Sequence, residues 1–335
     1  MSVTHKAGRR SLGLRLGALV LPALLAAGCA TTGGTGTGTG TDPLPPSQSQ
    51  PAPTPAPLDP SDRPILVPGQ TIRLGMKSDQ PGTGFMLHAK QFNGYDLVIA
   101  NQLVTLAGLN SASVKPQPVG SKDRAPDLQN NQVDLVAATY SITAKRTMAR
   151  PAGDGLDFVG PYATTYQGVL VRAEDKDRYR TLADLDYKQV CVWGETTSKT
   201  ELDRPAYEKI RQLPLTDAGE CVRALKDGVV DAVSTDRLIL YGFAHSDPSV
   251  VVVPKIKIGD PNQYGVAMLR TPQHKKDCER LREALKQYLS GNDWDSDIRR
   301  SLPSLPEEDL VTARPKVSEV EALSCRERPG NAAGN

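Results

Sequence analysis

Aromatic side chains are scarce in this 335-residue chain, 5% for Phe, Tyr and Trp together, and its formal charge is only +2. So few stacking platforms and so little excess positive charge argue against nucleic acid as a partner. No C-x-x-C occurs and the four histidines, His5, His88, His245 and His274, are scattered, so a zinc site has no ligand spacing to rest on. G-x-S-x-G, H-E-x-x-H and any Cys-His arrangement are also missing, which removes common signatures of covalent and metal-assisted hydrolysis. The Gly/Thr alternation from Gly34 to Thr41 is a poor phosphate loop, because no strand precedes it and no helix follows. No cofactor is implied.

What is present begins with an export signal. Lys6, Arg9, Arg10 and Arg15 precede the apolar run "LGALVLPALLAAG" and Cys29, the pattern of a secretory leader rather than a membrane span. Ala26, Ala27 and Gly28 before Cys29 resemble a bacterial lipobox, although Leu25 stands one place early, so Cys29 is expected to carry lipid. A plain cleaved signal is the alternative. Arg9, Arg10 and Leu12 faintly resemble a twin-arginine signal, which leaves the export route open. The next stretch, rich in Gly, Thr and Pro, has almost no core-forming side chains and reads as a tether.

The remaining cysteines, Cys191, Cys221, Cys278 and Cys325, allow three connectivities in an oxidising compartment. We favour Cys191 with Cys221, which joins the strand-like "KQVCVW" to the helix-like "ECVRALKDG", and Cys278 with Cys325.

About 240 residues from Ile65 onward carry the body, long enough for two modest lobes. Short apolar runs such as "TIRLGM", "VDLVAA", "KQVCVW" and "VVDAVST" alternate with segments of helical period, among them "YDLVIANQLVTLAG", "TELDRPAYEKIRQL" and "DCERLREALKQYLSG". That alternation predicts an α/β fold of mostly parallel sheets flanked by helices. Ligands of such sheets bind beyond the carboxyl ends of the strands. Three strand-to-helix turns offer polar groups there: "AATYSITAKR" with Arg146, "CVWGETTS" with Thr196 and Thr197, and "AVSTD" with Asp236. The first and last carry opposite charges, which suits a small zwitterion.

Four segments in order, "NGYDLVIANQLVTLAG", "LQNNQVDLVAATYSITAKR", "DFVGPY" and "VVDAVSTD", resemble the bacterial extracellular solute-binding proteins of family 3, polar amino-acid receptors of ABC importers. The likeness runs from about Ile72 to Leu302, and "DQPGTGF" with "ATYSIT" is most similar to the glutamate-type receptors of Gram-positive bacteria. Val98, Trp193 and Glu195 depart from the family pattern. The resemblance implies a two-lobed periplasmic-binding-protein fold with two hinge crossings, placed near Gln167 to Ala173 and Asp260 to Gly265. The expected layout is a signal over residues 1–29, a tether over 30–66, lobe I over 67–168 and 264–310, lobe II over 169–263, and a frayed tail over 311–335.

The same resemblance implies the site. Arg146, with the Ser141 hydroxyl and the Thr139 amide, is expected to take the ligand's carboxylate, and Asp236 its ammonium. Thr196 and Thr197 are expected to contribute from lobe II, Lys77 or Arg124 to meet the ligand's side chain, and Trp193 to pack on its stem or seal the cleft. Each has a plainer alternative: a strand end and N-cap for Thr139, Ser141 and Thr143, a helix cap for Asp236, a polar turn for Thr196 and Thr197, surface charge for Lys77, Arg124 and Arg146, and a packing role for Trp193. A glutamate, aspartate, glutamine or asparagine receptor is expected, a monomer anchored to the membrane by lipid and serving a permease or, alternatively, a membrane sensor. An enzyme is the runner-up of another class, since a dehydratase on this fold would need a general acid and Glu195 is the one odd carboxylate.

Overall fold

The computed structural model describes residues 63–327. In chain order the first elements are β1 (Ile72–Met76), β2 (Asp79–Gln80), β3 (Gly84–Met86), β4 (Phe92–Asn93), α1 (Tyr95–Leu106), β5 (Val114–Pro118), α2 (Arg124–Gln129), β6 (Leu135–Val136), α3 (Ala144–Thr147) and β7 (Leu156–Arg172). The middle of the chain forms β8 (Gln189–Trp193), α4 (Thr197–Leu202), β9 (Arg211–Leu215), α5 (Ala218–Lys226), β10 (Ala232–Asp236), α6 (Arg237–Ser246) and β11 (Val250–Val252). It closes with β12 (Ile258–Leu269), α7 (His274–Ser290), α8 (Asp293–Ser301), α9 (Glu307–Ala313) and α10 (Val317–Leu323).

The main sheet runs β5-β1-β6-β12-β7-β10-β8-β9, with β11 also on β7, and β2, β3 and β4 form a separate antiparallel unit. Pairing is parallel on both outer sides, β5-β1-β6 and β10-β8-β9, and antiparallel through the middle. Both faces are covered, as parallel strands require. Along β8, Val190 and Val192 enter one apolar cluster while Cys191 and Trp193 enter another, the period-2 alternation of a doubly buried strand. Helix α7 buries Cys278, Leu281, Ala284, Leu285, Tyr288 and Leu289, a stripe at helical spacing.

The fold is two-lobed because β7 and β12 change partners along their length. Leu156–Val159 pair with Val266–Leu269, next to β6, whereas Gln167–Leu170 pair with β10 and Leu170–Arg172 with β11. Lobe I therefore holds β1, β5 and β6, and lobe II holds β8, β9, β10 and β11. The first crossing lies before Gln167 rather than after it, since Gln167–Arg172 already belong to lobe II pairing. The second passes through Asn262–Tyr264, which pair with Ala163–Thr165. Gly160 belongs to this crowded middle: a Cβ there would stand 2.9 Å from the Cα of Gly265 and from the Ile142 side chain.

The sulfurs of Cys191 and Cys221 lie 1.97 Å apart and those of Cys278 and Cys325 2.09 Å apart, both at disulfide distance. Each bridge closes a loop of several turns, worth about 3–4 kcal/mol by the chain-entropy argument. Three expectations need correction. Arg211–Leu213, expected within a helix, belong to the strand Arg211–Leu215: α4 stops at Leu202, and β9 tolerates Pro214 because it is the sheet's edge. The tether does not reach residue 66, because Ile65 and Leu66 are buried and their amides donate to the Asp277 carboxylate at 2.6 and 3.4 Å. Nor is the chain frayed after Leu310: α10 follows, with Val320 and Ser324 fully buried. The signal and Cys29 lie outside the described residues. No helix among the described residues is long and apolar enough to cross a membrane.

Candidate ligand-binding cleft

The carboxyl ends of β6, β8 and β10 converge where the lobes meet. Residues following β6 (Thr139, Ser141, Arg146) and Arg124 of α2 come from lobe I. Trp193, Thr196 and Thr197 at the end of β8, and Thr235 and Asp236 at the end of β10, come from lobe II. Together they line one cavity of about 10 Å³. A wider cleft of about 810 Å³ shares Arg146, Thr196 and Thr197 with it and opens past Lys145, Glu195 and Lys199.

Two guanidinium groups pack against one ring. The central carbons of Arg124 and Arg146 lie 4.2 and 4.3 Å from the Tyr140 centroid, a cation–π support strengthened by burial. Arg124 donates to the carbonyls of Ser121 (3.0 Å), Ala138 (3.1 Å) and Glu195 (2.8 Å). Arg146 donates to those of Ser141 (2.6 Å) and Glu195 (3.3 Å). Burial, then the neighbouring Arg146 charge, pulls Arg124 down to about 10. A pair of cations held this close favours an anion between them. The Glu195 carbonyl, carried on a left-handed residue (φ 55°), currently bridges both.

Asp236 faces them from lobe II. Although it ends β10 and precedes α6, its side chain caps no amide of that helix. The carboxylate instead accepts from the Tyr264 hydroxyl at 2.7 Å and the Asn262 amide at 2.6 Å. Burial raises it to about 6, while those two bonds and the Arg146 and Arg124 charges oppose the rise. So the plain helix-cap role is not what this carboxylate does.

Other expected residues fall differently. The Thr139 amide, expected to face the ligand, donates to Asp96 at 3.1 Å, and its hydroxyl contacts the Ala138 carbonyl and Gln80. Thr139 thus lines the cavity, but its amide is committed elsewhere. Lys77 is buried against Asp79 at 3.1 Å and does not line the cavity. The Glu195 carboxylate does not point inward: its side chain is 62% exposed and faces Lys145 at 3.7 Å. Thr196 caps α4, accepting from Lys199 N, and Thr197 meets Ser141 hydroxyl to hydroxyl at 3.4 Å across the lobes. The Trp193 indole N–H is buried without a hydrogen-bond partner. Tyr140, Asn262 and Tyr264 escaped the sequence reading. Tyr140 stood inside the quoted "AATYSITAKR", yet a tyrosine at a strand end signals burial before it signals support for arginines.

A second contact joins the lobes. The amide of Ala218, at the start of α5, donates to Asp79 at 2.9 Å, and Gly242 of α6 lies under the carbonyl of Pro81, where any Cβ would overlap that oxygen. Gly242→Ala improves helix propensity by about 1 kcal/mol while wedging the lobes apart. The expected outcome is a retained melting temperature with at least about tenfold weaker ligand binding, read by calorimetry.

Residues 72–300 match the family model of the bacterial extracellular solute-binding proteins, family 3. The chain belongs to that family. It is 30% identical to the glutamate-binding protein GluB of Corynebacterium glutamicum over 249 residues, 72% of this chain and 80% of that one. It is 26% identical to the glutamine-binding protein GlnH of an ABC transporter of Bacillus subtilis, over 65% of this chain and 76% of the relative. Among solved structures it is similar to an ancestral arginine-binding protein bound to arginine, with a TM-score of 0.59 and 25% identity over 69% of this chain and 97% of the other. The family places this chain among exported solute-binding proteins. Among the described residues no group of three or more His, Cys, Asp or Glu is arranged to hold a metal.

Proposed function

We propose that this solute-binding protein is the receptor of an ABC importer for a polar amino acid, glutamate or aspartate, glutamine or asparagine, tethered to the membrane through lipid on Cys29. Arg146 and Arg124 take the α-carboxylate, which displaces the Glu195 carbonyl, and Asp236 takes the α-ammonium. The carrying observation is that two buried cations from lobe I and a buried carboxylate from lobe II line one cavity. The names of GluB and GlnH support an acidic or amide side chain over others. With its N–H unpartnered, Trp193 is suited to a side-chain acceptor on the ligand, since a buried donor left unpaired costs about 1–3 kcal/mol.

The cavity of about 10 Å³ holds no more than one water, so entry requires the lobes to separate, as in hinge closure around ligands. Catalysis is not part of the proposal, because the Glu195 carboxylate faces solvent and Lys145. Calorimetry with the four amino acids on protein beginning after Cys29 tests the reading: micromolar affinity for at least one, about −8 kcal/mol, is expected, and no heat with any of them contradicts it.

The raised Asp236 sets a pH dependence with two opposite signs. Its folded value near 6 exceeds the ordinary carboxylate range, so its proton is bound more tightly in the folded state and ligand-free stability from this group falls as pH rises from about 4 to 6. Binding an ammonium needs the ionised form and strengthens over the same interval. The melting-temperature increment from saturating ligand should therefore grow between pH 5 and 7.5, by thermal melts with and without ligand.

A further inference from the structure

The last described segment, Glu307–Cys325, touches both lobes. Its lobe I fastenings are numerous: Arg314 donates to the carbonyls of Leu289 (2.8 Å) and Gly291 (3.1 Å), and Ser324 brackets Gly160, accepting its amide at 3.0 Å and donating to its carbonyl at 2.9 Å. The Cys325 amide donates to the Phe158 carbonyl at 2.8 Å, and its sulfur is joined to Cys278 of α7. Between these anchors Glu319 accepts from Gln263 of the crossing strand β12 at 3.3 Å.

Asp309 of α9 points the other way, onto lobe II. Its carboxylate accepts from Arg237 at 2.6 and 3.2 Å and from the Tyr241 hydroxyl at 2.5 Å, both on α6. Arg237 is in turn spread over the carbonyls of Val253, Pro254 and Ile256. Asp309 is 6% and Arg237 1% exposed, so parting them takes from Asp309 its hydrogen-bond donors and from Arg237 its countercharge.

We infer that Glu307–Cys325 is a strap across the lobes that limits how far they open. It is covalently held to lobe I, and its release from lobe II requires extracting Asp309 from Arg237 and Tyr241 and from Lys257, whose ammonium stands 3.9 Å away. The lobe I anchors at Arg314, Ser324 and Cys325 follow α9 directly, so separation of the lobes loads the contacts of Asp309 with lobe II. The inference does not depend on which ligand is bound.

Hydrogen exchange read by mass spectrometry on the full, ligand-free chain tests it. The Ala218 and Gly219 amides, at the first turn of α5, have no intrahelical partner and donate to Asp79 across the lobes, so they report opening. Asp309→Asn, and separately Cys278→Ser with Cys325→Ser, should speed exchange at those two amides several-fold while amides of the β1–β5 pairing keep their rates. Should Asp309→Asn fail to fold, the cysteine variant decides. Unchanged exchange at Ala218 and Gly219, or uniform acceleration throughout both lobes, overturns the strap.

Discussion

Replacing Arg146 by alanine should abolish binding of all four polar amino acids, a loss of about 3 kcal/mol or more and so over a hundredfold in affinity. Arg146 is 8% exposed and stands over Tyr140 beside a second guanidinium. Its removal takes away one of two charges addressed to a single anion and leaves Arg124 holding the Glu195 carbonyl alone. Stability should suffer less, because the side chain's own partners are two main-chain carbonyls and a ring face. Calorimetry beside a thermal melt separates the two effects. Loss confined to one amino acid, with the others bound normally, would mean that Arg146 meets the ligand's side chain instead.

Asp236→Asn should cost nearly as much in binding and nothing in ligand-free stability. Burial already disfavours the ionised carboxylate, which is why its proton is held to about pH 6. A neutral amide of the same size keeps one oxygen to accept from Tyr264, and Asn262 can turn its own amide to accept from the new NH2, while the attraction for an ammonium is gone. The expected result at pH 7.5 is a melting temperature equal to or above that of the unaltered protein, with affinity down about 2–4 kcal/mol. The pH dependence of the ligand-induced stabilisation should flatten in the same variant. A variant that melts well below the parent would show that the charged form of Asp236 stabilises the fold, contrary to this account.

How far the site was legible follows from what local pattern reports. Strand-to-helix alternation predicts where β6, β8 and β10 end, and the sheet rule places ligand chemistry at those ends. Arg146 and Asp236 were singled out that way, together with the family resemblance, whereas Arg124 was expected at the ligand's side chain and not beside Arg146. Partners set by distant chain were not legible. The Thr139 amide meets Asp96, 43 residues away, and Asn262 and Tyr264 reach Asp236 from the returning strand. Nor does sequence show that Glu195 turns its carbonyl inward and its carboxylate out, since that depends on a left-handed backbone at a residue seldom found there. The β9 strand was hidden because "RQLPL" has the composition of a helix tail and a proline, which only its edge position explains. Likewise α10 is short and polar outside its one buried stripe, and its order comes from Cys278, Phe158 and Gly160 rather than from helix propensity.

The central claim is that one amino acid is gripped by guanidinium groups of lobe I and a carboxylate of lobe II. A crystal structure with bound L-glutamine or L-glutamate tests it most directly. The account predicts the α-carboxylate on Arg146 and Arg124 in place of the Glu195 carbonyl, with the α-ammonium on Asp236. An amino acid lodged in the wider cleft near Lys145 and Lys199, with both arginines still bonded to Glu195, would contradict it.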